Sequence, residues 1–198
     1  MSIDNVSERT KKIEFFMLKY LPPFTGKETM FSIGCGSGKR ENYLSKHFKR
    51  IDCINHPLIY AGGGWGFNPA FKANKKLNFS VTDFITTKIN KKYDIIFSSE
   101  SLQFILNTSY ENIDKGYFKL IENKLNSMLN PKGFIVITMI QKKFFVDRNK
   151  TNDRELNNKY FISSLTDSIN VVKKMNFTVI AEKYFQNWQM KLLILQKK

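Results

Sequence analysis

The chain has 198 residues, 42% of them hydrophobic, 14% aromatic and 25% charged; that balance fits one domain with a real core and excludes a disordered chain. No apolar run approaches the roughly 20 residues of a membrane-spanning helix, Met1-Ser2-Ile3-Asp4-Asn5 lacks the apolar stretch of a secretion signal, and Cys35 and Cys53 are too few for a disulfide framework or a Cys-rich zinc site, so a reduced, cytoplasmic setting and no metal are expected. The formal net charge of +15 attracts polyanions at long range, but the basic residues are scattered in pairs such as Lys11-Lys12, Lys75-Lys76 and Lys142-Lys143, the pattern of solvated faces.

Short apolar runs alternate with amphipathic stretches, which reads as α/β. Ser7 to Leu21 is helical by spacing, with Ile13, Phe16, Met17 and Tyr20 on one face, a cap at Ser7 and a stop at Pro22-Pro23. Met30 to Ile33 is a short buried strand that runs straight into Gly34-Cys35-Gly36-Ser37-Gly38. A helix over Lys39 to Lys49 and a second strand, Ile51 to Ile54, close a strand–loop–helix–strand unit. The stretch His56 to Pro69 is irregular and holds Gly62-Gly63-Gly64-Trp65-Gly66. Leu77 to Thr82 and Tyr93 to Ser98 are the third and fourth strands. Ile113 to Leu129 is helical and is stopped by Asn130-Pro131-Lys132-Gly133. Phe134 to Ile140 is the fifth strand, Gln141 to Tyr160 a long polar stretch, and Ser163 to Met175 a helix. Phe177 to Phe185 and Trp188 to Leu195 are joined so tightly that they must form an antiparallel hairpin.

A strand that ends in Gly-x-Gly-x-Gly and opens a helix lets a ligand touch bare backbone and offers an anionic group the helix N-terminus. A dinucleotide site would need its third glycine at Lys39 and an acid where the second strand ends in Asn55. A phosphate-binding P-loop has a different spacing.

Phe31-Ser32-Ile33-Gly34-Cys35-Gly36-Ser37-Gly38 resembles the first motif of class I S-adenosylmethionine-dependent methyltransferases, and the resemblance extends over residues 25–198. It implies a seven-stranded, mostly parallel Rossmann-like sheet with helices on both faces and a C-terminal antiparallel hairpin. It implies one domain over residues 1–198, with residues 1–24 an N-terminal helix that acts as a substrate lid. It implies S-adenosylmethionine as cofactor, held by Gly34, Cys35, Gly36, Ser37 and Gly38, by Asn55 and His56 after the second strand, by Thr82, Asp83 and Phe84 after the third, and by Ser98 and Ser99 at the end of the fourth. In the family an acid after the second strand binds the ribose hydroxyls, and Asn55 departs from that pattern; an acid after the third contacts the adenine amine, and Asp83 matches, with Phe84 beside the ring.

Methyl transfer from a sulfonium is an in-line displacement that needs alignment more than a particular catalytic group, and a general base only if the acceptor must lose a proton. Glu100, Gln103, His56 and Trp65 are the residues expected near the acceptor, with Glu100 and His56 as candidate proton acceptors. Ser98-Ser99-Glu100-Ser101 is unlike the Asn/Asp-Pro-Pro-Tyr/Phe motif of amino methylation on adenine or glutamine. Neither cysteine is placed for cytosine C5 chemistry, and Asp147 and Asn149 alone are thin support for a metal-dependent catechol type. Phe67, Phe144 and Phe145 are further candidates for a pocket wall. The expected reaction is methylation of N or O on a small-molecule acceptor; the alternatives are an RNA methyltransferase that uses the basic surface and a non-catalytic S-adenosylmethionine-binding protein.

Overall fold

The computed structural model describes residues 6–57, 68–102, 105, 115–140, 169–170 and 172–198, with residues 72 and 115–117 in backbone only. Seven strands form one sheet: β1 (Thr29–Ile33), β2 (Arg50–Asn55), β3 (Leu77–Val81), β4 (Tyr93–Ser99), β5 (Leu129–Ile140), β6 (Phe177–Phe185) and β7 (Met190–Lys197). Their order is β3-β2-β1-β4-β5-β7-β6. β1 to β5 run parallel, and β7 runs antiparallel to both β5 and β6. This is the seven-stranded, mostly parallel sheet with a C-terminal antiparallel hairpin that the family resemblance implies.

The helices whose bounds are described are α1 (Glu8–Tyr20), α2 (Lys39–Leu44) and α3 (Lys115–Met128). Ser7 caps α1, its hydroxyl accepting from Thr10 N at 3.3 Å. The apolar stripe of α1 buries Ile13, Phe16 and Met17, while Tyr20, expected on the same face, is 38% exposed. α2 is shorter than its spacing suggested and passes into a single 3-10 turn, Ser45–His47. The long helix ends at Met128, and β5 starts immediately, so the Asn130-Pro131-Lys132-Gly133 turn lies inside β5's span and shifts its register against β4.

Helices cover both faces. On one, Ile13, Phe16 and Met17 of α1 and Leu44 of α2 pack with Met30, Ile51, Phe97 and Ile194. On the other, Ile121, Leu125 and Met128 of α3 pack with Phe31, Ile33, Ile96 and Ile137. β1 and β4 supply side chains to both layers, as alternation along a doubly covered central strand requires. The chain reverses direction across the sheet between β1 and β4, so the loops at the C-terminal ends of these two strands diverge and leave a crevice.

Candidate active site

The glycine loop leaves β1 at that crevice. Gly34 and Gly38 adopt φ of 69° and 76°, the left-handed region that disfavours any side chain. Gly34 is also required by contact: a Cβ there would lie 1.9 Å from the Ser101 hydroxyl. Ser101 donates to Gly34 O at 3.0 Å and thereby ties the loop to the segment after β4. At Gly38, where α2 begins, a Cβ would strike the Phe79 ring at 2.7 Å.

Asn55 holds the middle of the loop. Its side-chain oxygen accepts from Gly36 N at 2.8 Å and its amide donates to Gly36 O at 2.8 Å, and the residue is 2% exposed. The structure gives this carboxamide a different task from the ribose contact expected of it: it braces the glycine loop through both of its polar atoms. A carboxylate, which only accepts, could not make the second bond.

A cavity of about 210 Å³ opens against this loop, lined by the loop from Gly34 to Ser37, by Lys39 and Arg40 at the start of α2, by Ser99 and Glu100 at the end of β4, and by Val6, Ser7 and Thr10 around the start of α1. Glu100 has φ 67°, and its N–H donates to Thr138 O at 2.8 Å, which holds the bend at the end of β4. Its carboxylate forms an ion pair with Arg9 of α1, and the two residues are 9% and 7% exposed. Arg9 Nε also donates to Met190 Sδ at 3.0 Å. Arg9 was not singled out from the sequence, although one signal was there: it precedes Ile13 and Phe16 at the spacing of α1's buried face, where a charge needs a partner.

Ser98 and Ser99 are buried and engaged. Ser98 Oγ accepts from Leu102 N at 2.8 Å, and Ser99 Oγ bonds Thr138 Oγ1 at 3.0 Å. His56 is half-buried just past β2. After β3, Asp83 Oδ1 accepts from Ile85 N at 2.8 Å, closing a tight turn, while Oδ2 has a 3.4 Å contact from the Thr86 hydroxyl. Thr82 is tied to the same turn through Thr87 Oγ1 at 2.5 Å. Phe84, expected beside the purine, is 4% exposed and lies in the core with its ring 6.3 Å from Phe31; it supports the turn from beneath instead of walling the site. Gln103, Trp65, Phe67, Phe144, Phe145, Asp147 and Asn149 lie outside the described residues.

Burial pushes the Cys35 thiol far above its usual range, and the adjacent Cys53 thiol adds to the shift, so Cys35 is no thiolate nucleophile. Burial likewise raises Glu41, one turn into α2, against the opposing pull of Arg40 and of the Ser32 hydroxyl that donates to it at 2.7 Å. Glu41 is 1% exposed, and its second oxygen has no hydrogen-bond partner among the described residues.

A larger cavity of about 340 Å³ lies near the starts of β2 and β4, around Asp52. There Asp52 accepts from Arg50 at 2.7 Å, Asn78 at 3.0 Å and Tyr93 at 2.7 Å, with Lys91 3.8 Å away. This cavity lies at the opposite ends of the strands from the glycine loop, whereas the smaller one faces open glycine backbone at the strand switch.

No family model matches the chain. Over 122 residues it is 30% identical to malonyl-[acyl-carrier protein] O-methyltransferase 2 of Ilyobacter polytropus; the match takes in 60% of this chain but only 41% of that protein. The structure of the N-methyltransferase NodS from Bradyrhizobium japonicum WM9 in complex with S-adenosyl-L-homocysteine superposes with a TM-score of 0.66 at 16% identity, over 98% of this chain and 90% of NodS. The S-adenosylmethionine-dependent methyltransferase from Mesorhizobium loti gives 0.64 at 13% identity, over 99% of this chain and all of the other. The chain has the class I methyltransferase fold. Within that fold the glycine loop and the ends of β1 and β4 meet at the cavity just described, and α1 lies across it.

Proposed function

We propose that the chain is an S-adenosylmethionine-dependent methyltransferase that methylates N or O of a small-molecule acceptor. The observation that carries this reading is the cavity against the Gly34–Ser37 backbone at the β1/β4 switch. The residues present fit the cofactor: open glycine backbone on one wall, buried polar groups on the other, and Asp83 beyond the end of β3. The cavity is smaller than the ~300–1,000 Å³ of common ligand pockets, so in this reading it takes the amino-acid end while the adenosyl end runs past it toward Thr82 and Asp83. The N-methyltransferase title of one structural neighbour and the O-methyltransferase name of the partial relative support an N or O acceptor.

When bound, S-adenosylmethionine supplies an electrophilic methyl group on a sulfonium. The chain's own part is then alignment and exclusion of water. Gly34, Cys35, Gly36, Ser37 and Gly38 bring backbone flush against the ligand, with Asn55 fixing the loop's shape. Asp83 reads the purine amine, Ser99 completes the wall at the end of β4 and His56 stands just past β2, whereas Ser98, expected at the cofactor, is fully buried behind Ser99 with its hydroxyl taken by Leu102 N. Glu100 stands at the end of β4 facing the acceptor side. Because Arg9 engages its carboxylate, Glu100 orients an acceptor N–H or O–H, and taking its proton requires the pair to open. The start of α1 serves as the lid, through Val6, Ser7 and Thr10.

Calorimetry with S-adenosylmethionine and S-adenosylhomocysteine tests the cofactor assignment; saturable binding of both is expected, and a folded chain that binds neither refutes it. A labelled-methyl screen against metabolite extract and total RNA tests the acceptor. Label in small metabolites is expected. Label confined to RNA, with binding that falls steeply as salt rises, would transfer the assignment to RNA, and binding without turnover on either pool would make the chain a non-catalytic binder.

A further inference from the structure

We infer that Lys124 of α3 is a positioning residue that sets purine selectivity by holding the Asp83 turn; the inference rests on the proposed cofactor reading and deepens it. The turn from Asp83 to Thr87 lies between β3 and β4 and belongs to neither strand. Its inner bonds are few: Thr87 N to Asp83 O at 3.0 Å, Ile85 N to Asp83 Oδ1 at 2.8 Å, and the Thr82–Thr87 hydroxyl pair. Two of its carbonyls converge on one ammonium. Lys124 Nζ donates to Ile85 O at 3.0 Å and to Thr87 O at 2.5 Å. The same ammonium sits 5.0 Å from the centroid of the Phe84 ring, a face that attracts a cation. One side chain therefore grips Phe84, Ile85 and Thr87, the residues of the turn that follow Asp83.

The electrostatics single Lys124 out from the chain's many surface lysines. Among the described residues no carboxylate forms an ion pair with it. Burial disfavours its charge, with only the more distant Asp83 in opposition. A half-buried cation that no described carboxylate pairs with directly is a costly way to fill space that Met or Leu would fill for less. What the ammonium supplies, and an apolar side chain does not, is a fixed pair of carbonyls. With those fixed and Asp83 Oδ1 taken by Ile85 N, Oδ2 keeps only the long Thr86 contact and is the oxygen left to accept from a purine amine. A site that accepts from an amine rejects the analogue that carries a carbonyl there.

The test compares S-adenosylhomocysteine with S-inosylhomocysteine, in which a carbonyl replaces the purine amine, by calorimetry on the full chain and on Lys124→Met and Lys124→Arg. The unaltered chain is expected to favour the adenine ligand by about tenfold or more, the scale of one hydrogen bond and its unpaired penalty. In Lys124→Met the preference falls to about twofold because adenine binding weakens while inosine binding stays, and Lys124→Arg, which can still donate to both carbonyls, recovers most of it. A general structural role would weaken both ligands alike and leave the ratio unchanged, and that result overturns the inference while the cofactor reading stands. Should Lys124→Met not fold, Lys124→Gln, which can reach only one carbonyl with a good bond, gives the same comparison. Equal affinity of the unaltered chain for the two ligands overturns the Asp83 role and this inference with it; binding of neither ligand overturns the cofactor reading itself.

Discussion

Replacing Asn55 by Asp restores the acid that the methyltransferase pattern carries after the second strand, and the structure says that this weakens the site. The Asn55 amide donates to Gly36 O at 2.8 Å and its oxygen accepts from Gly36 N at 2.8 Å, at a position 2% exposed. An ionised Asp keeps the second bond and loses the first. It leaves a buried carbonyl unpaired, which costs ~1–3 kcal/mol, and it turns a charged oxygen toward that carbonyl in a place with little water. Together these amount to about 3–5 kcal/mol, a large part of the ~5–15 kcal/mol that holds a domain folded. The sign with pH is distinctive. A protonated carboxyl can donate to Gly36 O, so the folded state raises the pKa of the new group above its unfolded value of about 3.9. The variant is then nearly as stable as the unaltered chain below about pH 4, and it loses stability as pH rises through the raised folded pKa. Urea unfolding of both chains near pH 4 and pH 7.5, with calorimetry against S-adenosylhomocysteine at the higher pH, measures this. A variant that matches the unaltered chain at pH 7.5 and binds the ligand more tightly would show that this side chain faces the ribose and not the loop.

Three further substitutions probe the same crevice. Gly34→Ala combines a positive φ with the Ser101 clash and should cost ~1–3 kcal/mol, with partial recovery when Ser101→Gly is added; full additivity in a double-mutant cycle would refute the contact. Arg9→Met leaves Glu100 as an uncompensated buried charge and should cost about 3–5 kcal/mol, more than Arg9→Met combined with Glu100→Gln; a double variant as unstable as the sum of the singles would refute the coupling. Glu41 titrates higher in the folded chain than in the unfolded one because it is buried, so its contribution is present below the unfolded pKa and is lost as pH rises toward the folded one. Glu41→Gln should therefore flatten the decline of stability as pH rises above the ordinary carboxyl range, and an unchanged slope in denaturation midpoints would refute the assignment.

The order of strands and the glycine loop were legible because both are local. Short apolar runs mark β1, β4 and β5 and a 3.6-residue period marks α1 directly, and a loop of glycines at the end of a strand declares close backbone approach without help from tertiary structure. Which way a side chain turns at the end of a strand is not local. Asn55 and Phe84 were placed at the site by their position along the chain, and the structure turns one toward Gly36 and the other into the core. In each case a neighbour far off in sequence decided: the left-handed glycine loop needed a donor and an acceptor at one point, and Phe31 offered Phe84 a dry contact. Arg9 and Lys124 escaped notice for the same reason, since a charge on a helix reads as solvated unless its position on the buried face is weighed against the apolar residues around it.

These misplaced and overlooked residues share a physical role, and it bears on how the site works. Asn55, Arg9, Ser101 and Lys124 each bind backbone or a buried side chain at the crevice, and each holds a loop at the C-terminal end of a strand: Asn55 and Ser101 the glycine loop, Arg9 the bend at Glu100, Lys124 the turn at Asp83. A methyl transfer that depends on alignment puts its demand on the rigidity of those loops before any group that handles protons. In the proposed reading these polar groups set the distance over which the methyl group travels, and their loss should appear in affinity and selectivity for the cofactor before it appears in the pH profile of turnover.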